Sequence, residues 1–169
     1  MFAWHAGGVQ IRVGQGYDIH PYSDDTTRVL VLGGVRFDDA VGLAGHSDAD
    51  AVSHACADAI LGAAGLGDLG SNFPDTDSNF AGADSIELLR RVVELAGRDG
   101  WQVANVDCTV VLEAPKIAPR RDEMQQQLSD AVGAPVTVKA TRGEGLGSIG
   151  RGEGIECYAV ALIHQVGEG

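Results

Sequence analysis

Basic residues are scarce in this sequence: 12 Lys and Arg stand against 24 Asp and Glu, a formal charge of −12 at pH 7. Nucleic-acid phosphates are repelled by such a surface, which excludes nucleic acid as a partner. A smaller anion can be held only where metal ions or a local group of Arg and Lys offset the field. Cysteine is rarer still. The 3 present, Cys56, Cys108 and Cys157, form no Cys-x-x-Cys pair, which argues against a disulfide frame or a thiolate metal site and predicts reduced thiols in a cytoplasmic protein. No hydrophobic run approaches the roughly 20 residues of a membrane-spanning helix, so no membrane association is expected. Met1 to Gln10 lack the basic start and apolar run of a signal peptide. Residues 1–10 are expected to be an N-terminal extension and 11–165 a single domain, long enough for a proper core. The sequence contains no internal repeat and no low-complexity segment.

What is present centres on Gly45 to Ala64, whose second half is an Ala-rich amphipathic helix. Ser47 is the expected N-cap, with Asp48 and Asp50 in the first turn, where the helix dipole favours negative charge. Ala51, Val52, Ala55, Ala59 and Ile60 recur at helical spacing and predict one buried face, with Asp50 and His54 stacked on another. His46 lies just outside the helix start. Upstream, Val9, Ile11 and Val13 alternate with polar or small residues and predict a strand running into Asp18-Ile19-His20. In an extended chain the period of two puts Asp18 and His20 on one face. With His54 they make a two-His, one-carboxylate set that leaves a metal position open, as catalytic zinc requires. On spacing alone, a chance Asp-x-His and a capped surface histidine remain the plainer alternative.

The remaining chain alternates strands and helices. Val29 to Leu32, Gly33-Gly34 and Val35 to Phe37 predict a hairpin. Gly65 to Ser78 reads as a long Gly- and Asp-rich loop of the kind that either connects or binds. A helix is expected from Asp84-Ser85 to about Ala96, burying Ile86, Leu89, Val92, Val93 and Ala96, then a strand over Trp101 to Leu112. Pro119 suits the first turn of a third helix that buries Met124, Leu128, Ala131 and Val132 and closes at Gly133. Strands over Val136 to Ala140 and Ile155 to Ile163 flank the Gly-rich run Gly143 to Gly154. That run resembles a phosphate loop in composition, but it lacks Gly-Lys-[Ser/Thr] and precedes a strand, so a flexible hairpin is the alternative. The expected fold is an α/β two-layer sandwich, a mixed β-sheet packed against helices.

Several segments together resemble the 2-C-methyl-D-erythritol 2,4-cyclodiphosphate synthase family of non-mevalonate isoprenoid synthesis. They are Gly14 to His20, Ala44 to Asp50 with His54, Gly67 to Gly70, Phe73 to Asp77, Ala114-Pro115-Lys116 and Gly150 to Gly154. The resemblance covers roughly Ile11 to His164, in family order and spacing. It implies a lyase that converts 4-diphosphocytidyl-2-C-methyl-D-erythritol 2-phosphate to the cyclic diphosphate and releases CMP. It further implies Zn2+ on Asp18, His20 and His54 and a second divalent cation, Mg2+ or Mn2+, on Glu144. His46 would stabilise the transition state. Ser47, Asp68, Leu69, Gly70 and Phe73-Pro74-Asp75-Thr76-Asp77 would contact the methylerythritol phosphate end. Leu112, Ala114, Pro115, Lys116, Ile117, Ala118, Ala140, Thr141 and Arg151 would contact the cytidine diphosphate part. Family members are homotrimers with sheets around the threefold axis and sites between subunits.

Such chemistry suits these residue types, because the nucleophile is a phosphate oxygen of the substrate and no activated Ser, Cys or Lys is needed. Two departures stand out. Arg142-Gly143 replace further Thr residues that follow Thr141 in the family, one of them stabilising the transition state; a guanidinium there can donate to a phosphate or pair with Glu144 or Glu113. Ser148 stands where a bulkier apolar residue is common near the threefold axis, where the family can hold an isoprenoid diphosphate. The competing reading, a non-catalytic trimeric metal protein that senses a nucleotide or isoprenoid diphosphate, is favoured only by these departures, since every predicted metal ligand is present. A third reading is a hydrolase that uses the same zinc to activate water.

Overall fold

The computed structural model describes residues 10–45, 47–74 and 83–165. In chain order the elements are β1 (Ile11–Pro21), β2 (Val29–Leu32), β3 (Val35–Val41), α1 (Ala51–Ala64), α2 (Leu69–Asn72), α3 (Ser85–Arg98), β4 (Trp101–Val111), a 3-10 turn (Ala118–Arg120), α4 (Arg121–Val132), β5 (Val136–Thr141), α5 (Gly147–Gly150) and β6 (Gly154–Gln165). The four-stranded sheet has the order β1, β6, β4, β5. β6 is antiparallel to both neighbours, and β4 and β5 are parallel, joined through α4. This is the expected mixed sheet, with α1, α3 and α4 packed side by side on one face.

Alternation along the strands builds the core. Val106, Cys108 and Val110 of β4 and Ile155, Cys157, Ala159, Ala161 and Ile163 of β6 are buried under the helices. The three cysteines meet in this core as free thiols, and hydrogen bonding to Cys108, with burial adding to it, pushes the thiols of Cys56 and Cys157 up. The buried positions of β1 beneath α1 are both glycine, Gly14 and Gly16. A Cβ on Gly14 would lie 2.0 Å from the Ala59 carbonyl oxygen, and one on Gly16 would lie 2.0 Å from that of Ala55. Strand and helix therefore touch backbone to backbone at a spacing that no other residue permits.

α1 departs from the expected one-sided amphipathic helix, because α3 covers the flank that the alternation of Ala and polar residues left ambiguous. Its positions are buried except His54, Asp58 and Gly62, which lie four apart on one stripe. Its N-cap is Asp50, not Ser47. Asp50 is fully buried and has no basic partner among its hydrogen bonds. Its Oδ1 accepts from the backbone N–H of Gly33 (2.8 Å), Val52 (3.0 Å) and Ser53 (3.1 Å), and its Oδ2 accepts from Gly34 N–H (2.7 Å) and the Ser53 hydroxyl (2.7 Å). The two glycines form the β2–β3 turn with φ of 57° and 74°, the positive values of a tight hairpin. One carboxylate thus ties the hairpin tip to the start of α1. The hairpin lies where the glycine pair predicts it, although β3 runs on to Val41.

Other expectations need adjustment. The Gly65 to Ser78 segment contains α2, one turn long and closed by a capping box between Asp68 and Ser71. The run Gly143 to Gly154 is no simple hairpin, since α5 occupies its middle. α3 passes through Gly97 to Arg98 and ends at Asp99, before Gly100 turns with φ of 80°. The third helix buries Met124, Leu128, Ala131 and Val132 and has Gly133 as its left-handed C-cap, as expected, but it starts at Arg121, and Pro119 lies in the 3-10 turn before it.

Replacing Asp50 by Ala strands four backbone donors and one hydroxyl in the core, and breaking a buried charge cluster of this kind costs about 3–5 kcal/mol. Denaturant unfolding of Asp50→Ala should show a loss of that order; a change within about 0.5 kcal/mol, typical of a surface substitution, would contradict the clamp.

Candidate metal centre and substrate cavity

The even-numbered residues of β1 face α1, so Asp18 and His20 continue the row begun by Gly14 and Gly16. His54 reaches them from the second turn of α1. Asp18 Oδ2 lies 3.0 Å from His20 Nε2 and 3.2 Å from His54 Nδ1, with side-chain exposures of 24%, 18% and 13%. One ligand atom from each residue falls within 4.8 Å of the other two. The two spacings read from sequence therefore converge.

Each imidazole is oriented from behind. His20 Nδ1 lies 2.7 Å from the Ala44 carbonyl oxygen, an acceptor only, so Nδ1 carries the proton and Nε2 presents a lone pair. His20 Nε2 is buried without an aligned hydrogen bond. On His54, Nε2 faces the hydroxyls of Ser85 at 2.9 Å and Ser47 at 3.2 Å, which leaves Nδ1 facing Asp18. Two ring nitrogens and a carboxylate oxygen gathered at one place, each ring held through its other nitrogen, suit a divalent metal ion. Burial works to raise the Asp18 pKa, but the adjoining imidazoles outweigh it and hold the carboxyl well below the usual carboxylate range. For His20, burial works downward and is outweighed by Asp18, so its pKa is raised.

A cavity of about 270 Å³ opens elsewhere, lined by Leu112, Glu113, Pro115, Lys116, Ile117, Ala118, Ala140, Thr141 and Arg142. It shares no residue with the metal group. Ala114 lines a neighbouring cavity of about 530 Å³ together with Tyr22, Val41, Glu113 and Gly152, and the Tyr22 hydroxyl donates to the Ala114 carbonyl at 2.6 Å. Arg142 pairs with Glu113 at the rim, its Nε and Nη2 2.9 and 2.8 Å from Oε2, while Glu113 Oε1 is buried without a partner.

A family model described as the YgbB family matches residues 11–164. The chain is 49% identical over 161 residues to the 2-C-methyl-D-erythritol 2,4-cyclodiphosphate synthase of Pelotomaculum thermopropionicum, covering 94% of this chain and 98% of that one. The chain belongs to this family, the 2-C-methyl-D-erythritol 2,4-cyclodiphosphate synthases. It is also 52% identical to part of the bifunctional enzyme IspD/IspF of Anaeromyxobacter dehalogenans, where it spans 90% of its own length and 40% of the relative's. Among solved structures, the bifunctional IspDF of Campylobacter jejuni superposes with a TM-score of 0.88 at 36% identity, over 94% of this chain and 43% of that one. The CDP complex of Plasmodium falciparum IspF superposes with a TM-score of 0.80 at 34% identity, over 93% and 97%.

Seen as a member of this synthase family, the chain brings some expected site residues together and leaves others apart. Asp18, His20 and His54 meet, with Ser47 beside them. Of the segment expected at the cytidine part, all but Ala114 and Arg151 line the smaller cavity. Arg151 is exposed and pairs with Glu153 at 2.6 Å. Glu144 is exposed, with φ of 52°, and stands outside the metal group. Asp68 caps α2, and Leu69 N–H donates to Asp58 Oδ1 at 2.7 Å. Gly70 lies within α2, Phe73 is partly buried against the core and Pro74 is exposed. His46, Asp75, Thr76 and Asp77 lie outside the described residues. Sequence reasoning missed Ser85, Asp58 and the Ala44 carbonyl; Ser85 was legible only as part of a helix start.

The shifted groups set a pH dependence for the metal-free chain. A carboxyl whose folded pKa is depressed stabilises the fold above its unfolded value of about 3.9, and that contribution is lost as pH falls. The raised pKa of His20 adds stability that is present below about 6.5 and is lost as pH rises through the folded value. The stability gap between the metal-free parent and Asp18→Asn should therefore be widest between about pH 4 and 6.5 and narrow on both sides; urea unfolding at several pH values measures it, and a gap independent of pH would contradict the pairing.

Proposed function

We propose that this chain closes the cyclic diphosphate of 2-C-methyl-D-erythritol from its 4-diphosphocytidyl 2-phosphate precursor and releases CMP. The observation that carries the reading is the convergence of Asp18, His20 and His54 in a chain of this family. An oxygen of the substrate's 2-phosphate forms a bond to the β phosphorus of the diphosphate, and the bond from that phosphorus to the oxygen retained by CMP breaks. Attacker and leaving group belong to one molecule, so the protein's task is to hold its two ends in line.

Asp18, His20 and His54 would hold Zn2+, since two imidazoles and one carboxylate with an open position match a catalytic zinc. Bound there, zinc supplies electrophilic polarisation of the phosphorus under attack. Glu144 would hold the second divalent cation, Mg2+ or Mn2+. His46 and Arg142 act on the charge that develops in the transition state. Arg142 has five N–H donors and directs only Nε and Nη2 at Glu113, so a mostly exposed guanidinium retains donors for a diphosphate at the cavity rim. Ser47, Asp68, Leu69, Gly70 and the segment Phe73 to Asp77 would hold the methylerythritol phosphate end. The cavity lined by Leu112, Pro115 to Ala118, Ala140 and Thr141, with Ala114 and Arg151 outside it, would take the cytidine diphosphate part, a reading supported by the relative solved with CDP.

A homotrimer is part of this reading. On the sheet face away from the helices, Val13, Tyr17, Ile19, Tyr158 and Val160 are 65%, 41%, 43%, 43% and 45% exposed, and Tyr17 pairs directly across from Tyr158. A row of large apolar side chains on an open sheet calls for a partner surface. Sites between subunits also account for a metal group and a cavity without a shared residue. No helix among the described residues is long and apolar enough to cross a membrane.

Phosphorus NMR of the purified protein with the cytidylyl substrate should show a cyclic diphosphate and CMP in equal amounts, suppressed by a chelator and restored by zinc. A linear phosphate product would support the hydrolase reading instead, and substrate that stays intact would support a sensor. In the same assay Arg142→Ala should lower turnover by about tenfold or more, the scale of a lost charge-assisted hydrogen bond, and fall below Arg142→Thr. Equal activity of the two variants would remove Arg142 from the reaction.

A further inference from the structure

We propose that Ser85 and Asp48 form an outer relay that fixes the tautomer of His54 and strengthens it as a metal ligand. This rests on the metal reading above and adds two residues to it. Ser85 is 1% exposed and stands at the first position of α3, where the helix leaves its own N–H groups unpaired. Its backbone N–H donates to Asp48 Oδ2 at 3.2 Å, and its hydroxyl donates to Asp48 Oδ1. Both donors of one residue thus converge on one carboxylate.

That double contact decides the direction of the protons between His54 and Asp48. A hydroxyl has a single proton, and here the carboxylate takes it, because an ionised carboxylate accepts and cannot donate. The Ser85 oxygen is left with lone pairs toward His54 Nε2, 2.9 Å away, so Nε2 carries the ring proton. The order is imidazole N–H to hydroxyl to carboxylate. It leaves the lone pair on Nδ1, the nitrogen that faces Asp18 at 3.2 Å. The reverse tautomer would set the Nε2 lone pair against the lone pairs of the Ser85 oxygen. Ser47 Oγ, at 3.2 Å, is the weaker neighbour of Nε2 and already accepts from Ala49 N–H at 3.1 Å. A negative charge one hydroxyl behind the ring makes the imidazole a better electron donor, and such outer partners commonly change metal affinity by 10–100-fold.

The relay predicts a metal-binding phenotype separable from folding. Dissociation constants for Zn2+ and Co2+ are measured on the purified full chain by competition with a chromophoric chelator, alongside thermal unfolding of the metal-free forms. Ser85→Ala should raise both constants about tenfold or more and change the visible absorption of the cobalt form. Ser85→Thr should restore them to within about threefold, and Asp48→Asn should give an intermediate loss, because an amide oxygen still accepts the hydroxyl proton but lacks the charge. Ser85→Ala that binds both ions like the parent overturns the relay and leaves the metal site standing. Equal weakening in the Ala and Thr variants, tracking their loss of metal-free stability, overturns it in favour of a packing role. A parent whose affinity is unchanged by Asp18→Asn overturns the metal reading and the relay with it.

Discussion

Backbone donors gathered by one buried carboxylate hold this molecule's working parts in register. Asp50 receives the turn of the β2–β3 hairpin through Gly33 and Gly34 and the open end of α1 through Val52 and Ser53. An unpaired buried charge is strongly unfavourable, and this one is tolerated because every lone-pair direction meets a donor and the helix dipole adds a positive end. The consequence is positional. His54 lies one turn beyond Asp50, and its backbone N–H bonds to the Asp50 carbonyl, so whatever anchors Asp50 also anchors the imidazole.

The candidate site follows from how β1 meets that helix. Extended geometry delivers Asp18 and His20 to one side, and helical geometry delivers His54 to the same side. Groups with no catalytic chemistry of their own then settle which nitrogen of each ring faces inward: a carbonyl for His20, and a hydroxyl backed by a carboxylate for His54. The acidic balance of the chain means that a diphosphate ligand would depend on bound cations.

Periodicity made some of this readable in advance. Asp18 and His20 two apart and His54 on a helical face are local patterns, and local geometry brought them to one place. Ser47 and Asp50 are both good cap residues, and only the hairpin turn arriving from 17 residues upstream selects Asp50. The burial of α1 on nearly every side was hidden because alanine fits a half-buried and a fully buried helix equally well. Ser85 was hidden for the same kind of reason: its bond to His54 spans 31 residues, and from sequence a serine at a helix start reads as a cap. α2 is too short for any period to register. Arg142 was readable as a phosphate contact or as a partner of Glu113, and the folded chain makes the Glu113 pair.

The glycines of β1 give the ligand set an unusual independence. Because Gly14 and Gly16 bring the strand's main chain against the carbonyls of Ala59 and Ala55, the separation of Asp18 from His54 is measured out by peptide groups and not by interlocking side chains. Substitutions elsewhere in the core can change its volume and composition while the bite of the three ligands stays constant. Repacking of the interior and the spacing of the candidate ligands are thereby uncoupled.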